Sequence, residues 1–315
     1  MRLGIVCSAN HSFGHAAVAR ALARAARAQL SLDRLIVFSD QTELLGRWNF
    51  FDDWMEVVPL NVATYPVLDA VLLDTIPFRR ADALYEVLRR LSQVKPLIVV
   101  GHTGWVPAIS PRHLNEWREL LSFLGGPRVI VYHGKDVCDG TCHLARFASR
   151  LGACPTHAGL LLPEVRRLDS AQPGVFAALS GGGDQARELL ERVESILVRK
   201  PASRCDFYLG PYTNVESAPR RTRLISGVGD IGRLLSAYDF SVTRAGYSSC
   251  CEHIAAQVPT IIDPLPNPEQ RANALWANRF LRVASIDYKG ILEVREPQRA
   301  RATTFSWVQA LDIGP

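Results

Sequence analysis

Lysine is scarce in this chain. It stands only at positions 95, 135, 200 and 289, so arginine carries most of the positive charge. No run of five or more Lys or Arg occurs, and 36 basic against 31 acidic residues leave a formal charge of only +5. A nucleic-acid surface concentrates its basic side chains, so that class of partner is not expected. The seven cysteines are odd in number and follow no regular framework, which reads as reduced thiols in a cytoplasmic protein. No stretch of about 18 uncharged apolar residues is present, so no transmembrane helix is expected. The N-terminus shows neither the apolar core nor the cleavage site of a signal peptide. G-x-G-x-x-G is missing, which removes the dinucleotide fingerprint. Internal repeats and low-complexity segments are also absent.

The 315 residues are 48% hydrophobic and 21% charged, enough apolar material for a sizeable core and, by length, for about two domains. Short apolar runs alternate with longer amphipathic ones. Strands are predicted at Leu3–Cys7, Leu35–Phe38, Ala70–Asp74, Leu97–Gly101 and Val129–Tyr132. A second series follows at Val175–Ser180, Asp206–Leu209, Arg223–Ile225, Phe240–Thr243 and Thr260–Asp263. Their short β-branched runs suit buried parallel strands. Helices are predicted at Gly14–Gln29, Ala81–Leu91, Pro111–Phe123, Gln185–Val198, Ser248–Gln257 and Glu269–Phe280. Such alternation predicts βαβ units, hence an α/β chain of two doubly wound, Rossmann-like domains with parallel sheets facing across a cleft. A Pro- and Gly-containing stretch from about Gly152 to Gly174 parts the two series, and the boundary is placed at residues 160 and 161.

Four strand-to-helix turns carry candidate chemistry. Asn10, His11, Gly14 and His15 follow the first strand. Gly14 permits close backbone approach, and His15 in the first helical turn is a candidate proton acceptor, or else a packing or capping residue. Ser180, Gly181, Gly182 and Gly183 lead into a helix, and consecutive glycines there suit a diphosphate cradle. Arg244, Gly246, Ser248, Ser249 and Glu252 form a third such turn, in which the serines cap the helix or bind phosphate and Glu252 can accept two ribose hydroxyls. A proline-stiffened loop from Asp263 to Pro268 then delivers Glu269 and Gln270 to a helix start, where they cap, face solvent or read sugar hydroxyls. Asp74 and His102, at the ends of the third and fourth strands, face the same cleft and are candidates for holding an acceptor. The cluster from His133 to His143 holds possible metal ligands, but a lone C-x₃-C without a matching pair is a poor zinc site. Adjacent Cys250 and Cys251 read as small core residues.

The segment TRAGYSSCCEHIAAQVP followed by DPLPNPEQRANA closely resembles the donor-binding region of MurG-like GT-B glycosyltransferases. Arg244, Gly246, Ser249, Glu252, Pro259, Pro264, Gln270, Asn273 and Ala274 fall in register with that pattern. The specific match covers about 35 residues. The resemblance implies a GT-B fold with an acceptor-binding domain over residues 1–160 and a nucleotide-sugar-binding domain over 161–315. It also implies that a C-terminal segment near Ala302–Ala310 crosses back to the first domain. By the same resemblance, Glu252 binds the ribose, Ser180, Gly181, Gly182 and Ser249 face the diphosphate, and the backbone near Ile231 reads the base. Arg244 supports the turn or the nucleotide, Glu269 and Gln270 contact the sugar, and His15 is the base. No metal or other cofactor is required, and the sugar is transferred from a UDP-sugar in one inverting displacement.

The first loop departs from the family's G-G-T-G-G-H, reading S-A-N-H-S-F-G-H. The chain is short for the family and shows no apolar surface helix for a membrane-bound acceptor, which favours a soluble small molecule. A narrower resemblance is to cytosylglucuronate synthases of nucleoside-antibiotic biosynthesis, where Arg271 or Arg244 would meet the uronate charge. Two other readings share the fold: a PseG-type UDP-sugar hydrolase, and a non-catalytic nucleotide-sugar-binding subunit.

Overall fold

The computed structural model describes residues 1–7, 14–62, 65–74, 83–91, 96–102, 128–134, 155–165, 172–179, 183–200, 204–210, 221–226, 231–264, 267–287, 291–299 and 301–312, with single positions at 115, 118, 119, 122 and 289. Among these, the strands form two seven-stranded sheets. The first comprises β1 (Arg2–Cys7), β2 (Arg34–Ser39), β3 (Glu56–Pro59), β4 (Ala70–Leu73), β5 (Leu97–His102), β6 (Arg128–Val131) and β7 (Thr156–His157). The second comprises β8 (Gln172–Leu179), β9 (Cys205–Leu209), β10 (Thr222–Ile225), β11 (Tyr238–Thr243), β12 (Thr260–Ile262), β13 (Val283–Ile286) and β14 (Leu292–Arg295). The sheet orders are β3-β2-β1-β4-β5-β6-β7 and β10-β9-β8-β11-β12-β13-β14. The two halves therefore repeat one topology. Every pairing is parallel except β13 with β14. This is the expected α/β, doubly wound, two-domain GT-B arrangement.

In each sheet the order reverses beside the first strand, between β1 and β4 and between β8 and β11. Successive connections there run to opposite sides and leave a crevice at the carboxyl ends of the strands, where open α/β sheets bind ligands.

The helices are α1 (Gly14–Gln29), α2 (Thr42–Arg47), α3 (Ala83–Leu91), α4 (Gly183–Arg199), α5 (Ile231–Leu235), α6 (Tyr247–Ala256), α7 (Pro268–Ala277) and α8 (Trp307–Leu311). Helix α1 buries Val18, Ala19, Leu22, Ala23 and Ala26, a stripe at helical spacing. Beside that stripe its arginines clasp the segment before β3. Arg20 lies over the Phe50 ring at 4.4 Å, Arg24 makes a two-pronged ion pair with Asp52 at 2.8 and 2.7 Å, and Arg27 lies over Trp54 at 4.5 Å.

Strands β3, β7, β13 and β14 and helices α2, α5 and α8 are additions to the predicted elements. They are short, and β3 and β14 are edge strands with little burial, so no long apolar run marks them. The helix predicted at Pro111–Phe123 falls largely outside the described residues.

One apolar cluster runs through both domains, joining Leu3, Ile5 and Leu22 of the first half to Tyr247, Cys250, Trp276 and Phe280 of the second. Tyr247 is its pivot: the phenol donates to the Tyr132 carbonyl at 2.6 Å and accepts from the Leu161 amide at 3.3 Å. The chain end completes the first domain. Trp307 is fully buried, and its indole donates to the Leu22 carbonyl at 2.9 Å. Gln29 bonds both the Phe305 carbonyl and the Trp307 amide. Cys250 and Cys251 lie in this cluster as free thiols, and burial raises both pKa values, that of Cys251 to about 12.

Candidate active site

The reversal point of the first sheet holds an Asp–His pair. His15, second residue of α1, follows β1, and Asp74 follows β4; His15 Nδ1 lies 2.9 Å from Asp74 Oδ2. The carboxylate is 1% exposed and the imidazole side chain 42% exposed, so the pair is anchored at one end and open at the other. A buried carboxylate accepts, so Nδ1 carries the proton and Nε2 keeps its lone pair. Nε2 has no hydrogen-bond partner among the described residues. Burial of the ring opposes protonation, but the hydrogen bond and charge of Asp74, with the charges of Glu269 and Asp40, outweigh it and raise the His15 pKa. Burial also raises the Asp74 pKa, against the pull of His15 and Tyr132. Gly101 makes room here: a Cβ on it would collide with the Tyr132 hydroxyl.

Asp74, a candidate for holding an acceptor, has its carboxylate bonded to the His15 imidazole. The pairing leaves little trace in sequence, because it depends on β1 and β4 becoming neighbours. His102 ends β5, and its side chain lies outside the described residues, as do Asn10, His11, Ser180, Gly181 and Gly182. Gly183 begins α4.

Opposite, at the reversal point of the second sheet, β11 turns into α6. Ala245 takes φ 59°, a left-handed conformation uncommon for a residue with a Cβ, which marks a tightly constrained turn. Gly246 is the helix N-cap and provides no side-chain cap, and a Cβ built on it would meet nothing within 4 Å. The first turn contains no acidic residue. Uncapped N–H groups beside open space, at the positive end of a helix, are suited to an anion. Ser248 does not cap: its hydroxyl donates to the Gly14 carbonyl at 3.1 Å, tying the starts of α1 and α6 together. Ser249 Oγ has no partner among the described residues.

Glu252, on the second turn of α6, is 9% exposed and borders a crevice of about 650 Å³. Ser248 and Tyr247 line it on the same side, and Ala17, Ala21 and Arg24 of α1 face them. The charge of Glu252 adds to burial in raising the Tyr208 pKa, which places that phenol near the carboxylate. Tyr208 packs with Phe176, Leu235 and the partly buried Ile231 and Trp48. Trp48 meets Tyr208 edge-on at 6.4 Å from across the cleft. Ile231 thus lies in the same neighbourhood as Glu252, at the start of α5.

Helix α7 is capped as its sequence suggests. Asn267 Oδ1 accepts from the Glu269 and Gln270 amides at 2.9 and 3.3 Å, and Pro268 stands in the first turn. The Glu269 carboxylate makes no hydrogen bond among the described residues, and burial raises its pKa against the opposing charge of His15. The charge of Glu269 in turn helps to raise the His15 pKa. Arg244, 4% exposed, reaches from the β11 turn to donate to Gln270 Oε1 at 3.3 Å. Asn273, one turn on, accepts from the Trp276 indole at 3.1 Å. Of the metal-ligand cluster, only His133 is described; among the described residues no group of three or more His, Cys, Asp or Glu is placed to hold a metal. Nor is any described helix long and apolar enough to cross a membrane.

Comparison with known proteins agrees with this geometry. Residues 179–289 match the glycosyltransferase family 28 C-terminal domain. The UDP-N-acetylglucosamine–N-acetylmuramyl-(pentapeptide) pyrophosphoryl-undecaprenol N-acetylglucosamine transferase of Nitrosococcus oceani is 28% identical over 229 residues, 63% of this chain and 62% of that protein. The chain thus matches less than two thirds of that relative's length. Among solved structures, TcCGT1 in complex with UDP superposes with a TM-score of 0.56 at 12% identity, covering 87% of this chain and 83% of that one. A UDP-glucosyltransferase from Polygonum tinctorium gives 0.54 at 13% identity, covering 92% and 86%. The kitacinnamycin glycotransferase gives 0.53 at 15%, covering 88% and 83%. Identities this low speak to fold. With the family match, the curated relative and the paired sheets taken together, the chain has a GT-B fold, and its second half is similar to the C-terminal domain of family 28 glycosyltransferases, the MurG-like enzymes.

Proposed function

We propose that the protein transfers a sugar from a UDP-sugar to a soluble small-molecule acceptor with inversion at the anomeric carbon, and that it needs no metal. One observation carries this reading: the half-exposed, Asp74-bonded His15 imidazole stands at the start of α1, which Ser248 ties to the start of α6 in the second domain. Glu252 accepts the ribose hydroxyls, the uncapped start of α6 receives the diphosphate, and Glu269 and Gln270 lie beside the sugar. The backbone near Ile231 meets the base. UDP as the nucleotide is supported by the UDP-using relatives and by the solved neighbour that holds UDP.

His15 Nε2 takes the proton from the acceptor's O–H or N–H as that atom bonds to the anomeric carbon. The bond from that carbon to the phosphate oxygen breaks, and UDP leaves with the electron pair. Asp74 stabilises the imidazolium that forms, and the α6 N–H groups meet the growing phosphate charge. Transfer of glucuronate from its UDP donor to cytosine is the narrower form of the proposal. Arg271 supports it, being exposed one residue after Gln270 with no side-chain hydrogen bond or ion pair among the described residues. Residues 1–160 then serve the acceptor and 161–315 the donor, in a cytoplasmic enzyme.

The test is a thermal-shift panel of nucleoside diphosphates and UDP-sugars, followed by UDP release with candidate acceptors. His15→Ala should abolish turnover and leave UDP binding intact, while Glu252→Ala should weaken UDP binding itself. Failure of every nucleoside diphosphate to stabilise the protein would sink the reading. Free sugar released without any acceptor would make water the acceptor and the protein a hydrolase.

A further inference from the structure

Arg244 and Gln270 come from different turns of the second domain, and their contact fixes which end of an amide faces the cleft. A guanidinium has only donors, so the atom it touches at 3.3 Å must be the Gln270 carbonyl oxygen, Oε1. The amide nitrogen Nε2 then points the other way. It has no hydrogen-bond partner among the described residues, and it is not among their buried unsatisfied atoms. Gln270 itself is partly exposed. Its backbone is held by the Asn267 cap, so the side chain starts from a fixed point. Glu269, the neighbouring residue, offers only acceptors while it is ionised.

We propose that Arg244 is a positioning residue for donor-sugar selection: by holding Gln270 Oε1 it presents Nε2 as a fixed hydrogen-bond donor beside the Glu269 carboxylate. The inference rests on the donor reading given above. It adds a polarity to that site. A sugar there must offer an acceptor oxygen to Gln270 and a donating hydroxyl to Glu269. Without the arginine the amide turns freely, and either end can meet the sugar.

Arg244 is suited to this task. It is buried in the turn where Ala245 takes its left-handed conformation, so its stem is anchored. Burial lowers its pKa, and the charges of Glu188 and Asp263 oppose that only in part. Asp263 is itself paired with Arg192 at 3.0 Å. Rigid planar geometry makes arginine, not lysine, the residue for holding one oxygen in one direction.

Gln270→Glu is the sharpest test, because it keeps an oxygen for Arg244 and puts a carboxylate oxygen in place of the donating nitrogen, with UDP alone as the control for the added charge. Calorimetric titrations would compare UDP with UDP-glucose, UDP-N-acetylglucosamine and UDP-glucuronate. For the tightest of these sugars, Gln270→Glu should weaken binding about tenfold or more, as expected for loss of a donor facing a site built to use it, while the Kd for UDP moves less than about twofold. Arg244→Met, checked for folding by its melting curve, should narrow the spread of affinities among the three donors. The double variant should be no worse than the poorer single one. If Gln270→Glu binds every donor as the wild type does, or if the two effects add in full, the proposal fails while the donor reading stands. If the wild type binds UDP but gains or loses nothing with an attached sugar, it fails likewise. If the wild type binds no UDP at all, both fall together.

Discussion

Asp74 Oδ2 accepts a hydrogen bond from His15 Nδ1 at 2.9 Å, although 59 positions separate the two residues in the chain. The contact sets the tautomer of the half-exposed His15 imidazole. Asp74→Asn keeps the shape and removes the charge, and an amide nitrogen in place of the acceptor would force Nε2 to carry the proton. Under the proposed mechanism kcat should fall by about 10²-fold or more, with the Kd for UDP unchanged. Steady-state kinetics with a working acceptor checks this; a variant within a few-fold of the wild type would remove Asp74 from the mechanism.

The pH profile follows from the same pair. The His15 pKa is raised on balance: burial opposes protonation, but Asp74, Glu269 and Asp40 outweigh it. Only the neutral ring serves as a base. The rate should therefore climb with pH through an inflection above the ordinary histidine value of about 6.5. Removing the Asp74 charge should move the inflection down while lowering the plateau. An inflection below the ordinary value in the wild type would count against His15 as the base.

Tyr247→Phe removes a hydroxyl that serves two buried backbone groups, the Tyr132 carbonyl and the Leu161 amide. Leaving both unsatisfied at a domain junction should cost about 1–3 kcal/mol. Urea unfolding should show the midpoint lowered. An unchanged midpoint would mean that water replaces the phenol without penalty.

Gly159→Ala should be worse. Gly159 takes φ 93°, and a Cβ there would collide with the Thr304 carbonyl. Main chain cannot step aside as a flexible side chain would, so the penalty should exceed the roughly 1 kcal/mol of an ordinary glycine replacement. The melting temperature reports it directly.

Thiol chemistry tests the placement of the cysteines. Cys7, Cys205, Cys250 and Cys251 are buried. Burial pushes each thiol pKa up, so little thiolate exists at neutral pH. In the native protein these four should resist a thiol-reactive probe and react once denatured, as read by mass spectrometry of the labelled peptides. Fast native labelling of Cys250 or Cys251 would contradict the packed junction described here.

Much of this was legible in sequence because it is local. The Ala-rich spacing after Leu3–Cys7 gives α1 with its start at Gly14, and the β-branched runs give most central strands of both sheets. Arg244, Glu252 and Gln270 stand at strand-to-helix turns that the chain itself punctuates. What was not legible depends on the fold closing. Ser248 looks like a helix cap, yet the helix begins one residue earlier and the hydroxyl is drawn to Gly14 in the other domain. Asp74 looks like any strand-end carboxylate until the sheet order sets it beside α1. The short edge strands β3 and β14 owe their existence to neighbours and carry little apolar pattern of their own.

Trp307 fills the first domain from near the far end of the chain. Synthesis runs the other way. When the ribosome has finished the first sheet, the Leu22 carbonyl, both ends of the Gln29 amide and the backbone of Ala158 and Leu160 still wait for Thr303 to Trp307. The first half can collapse early, but it cannot reach its final packing until the second half has been made and threaded back. A pulse-labelled nascent chain stalled before Thr303 should thus remain open to protease in α1, and it should close only after release of a chain that includes α8.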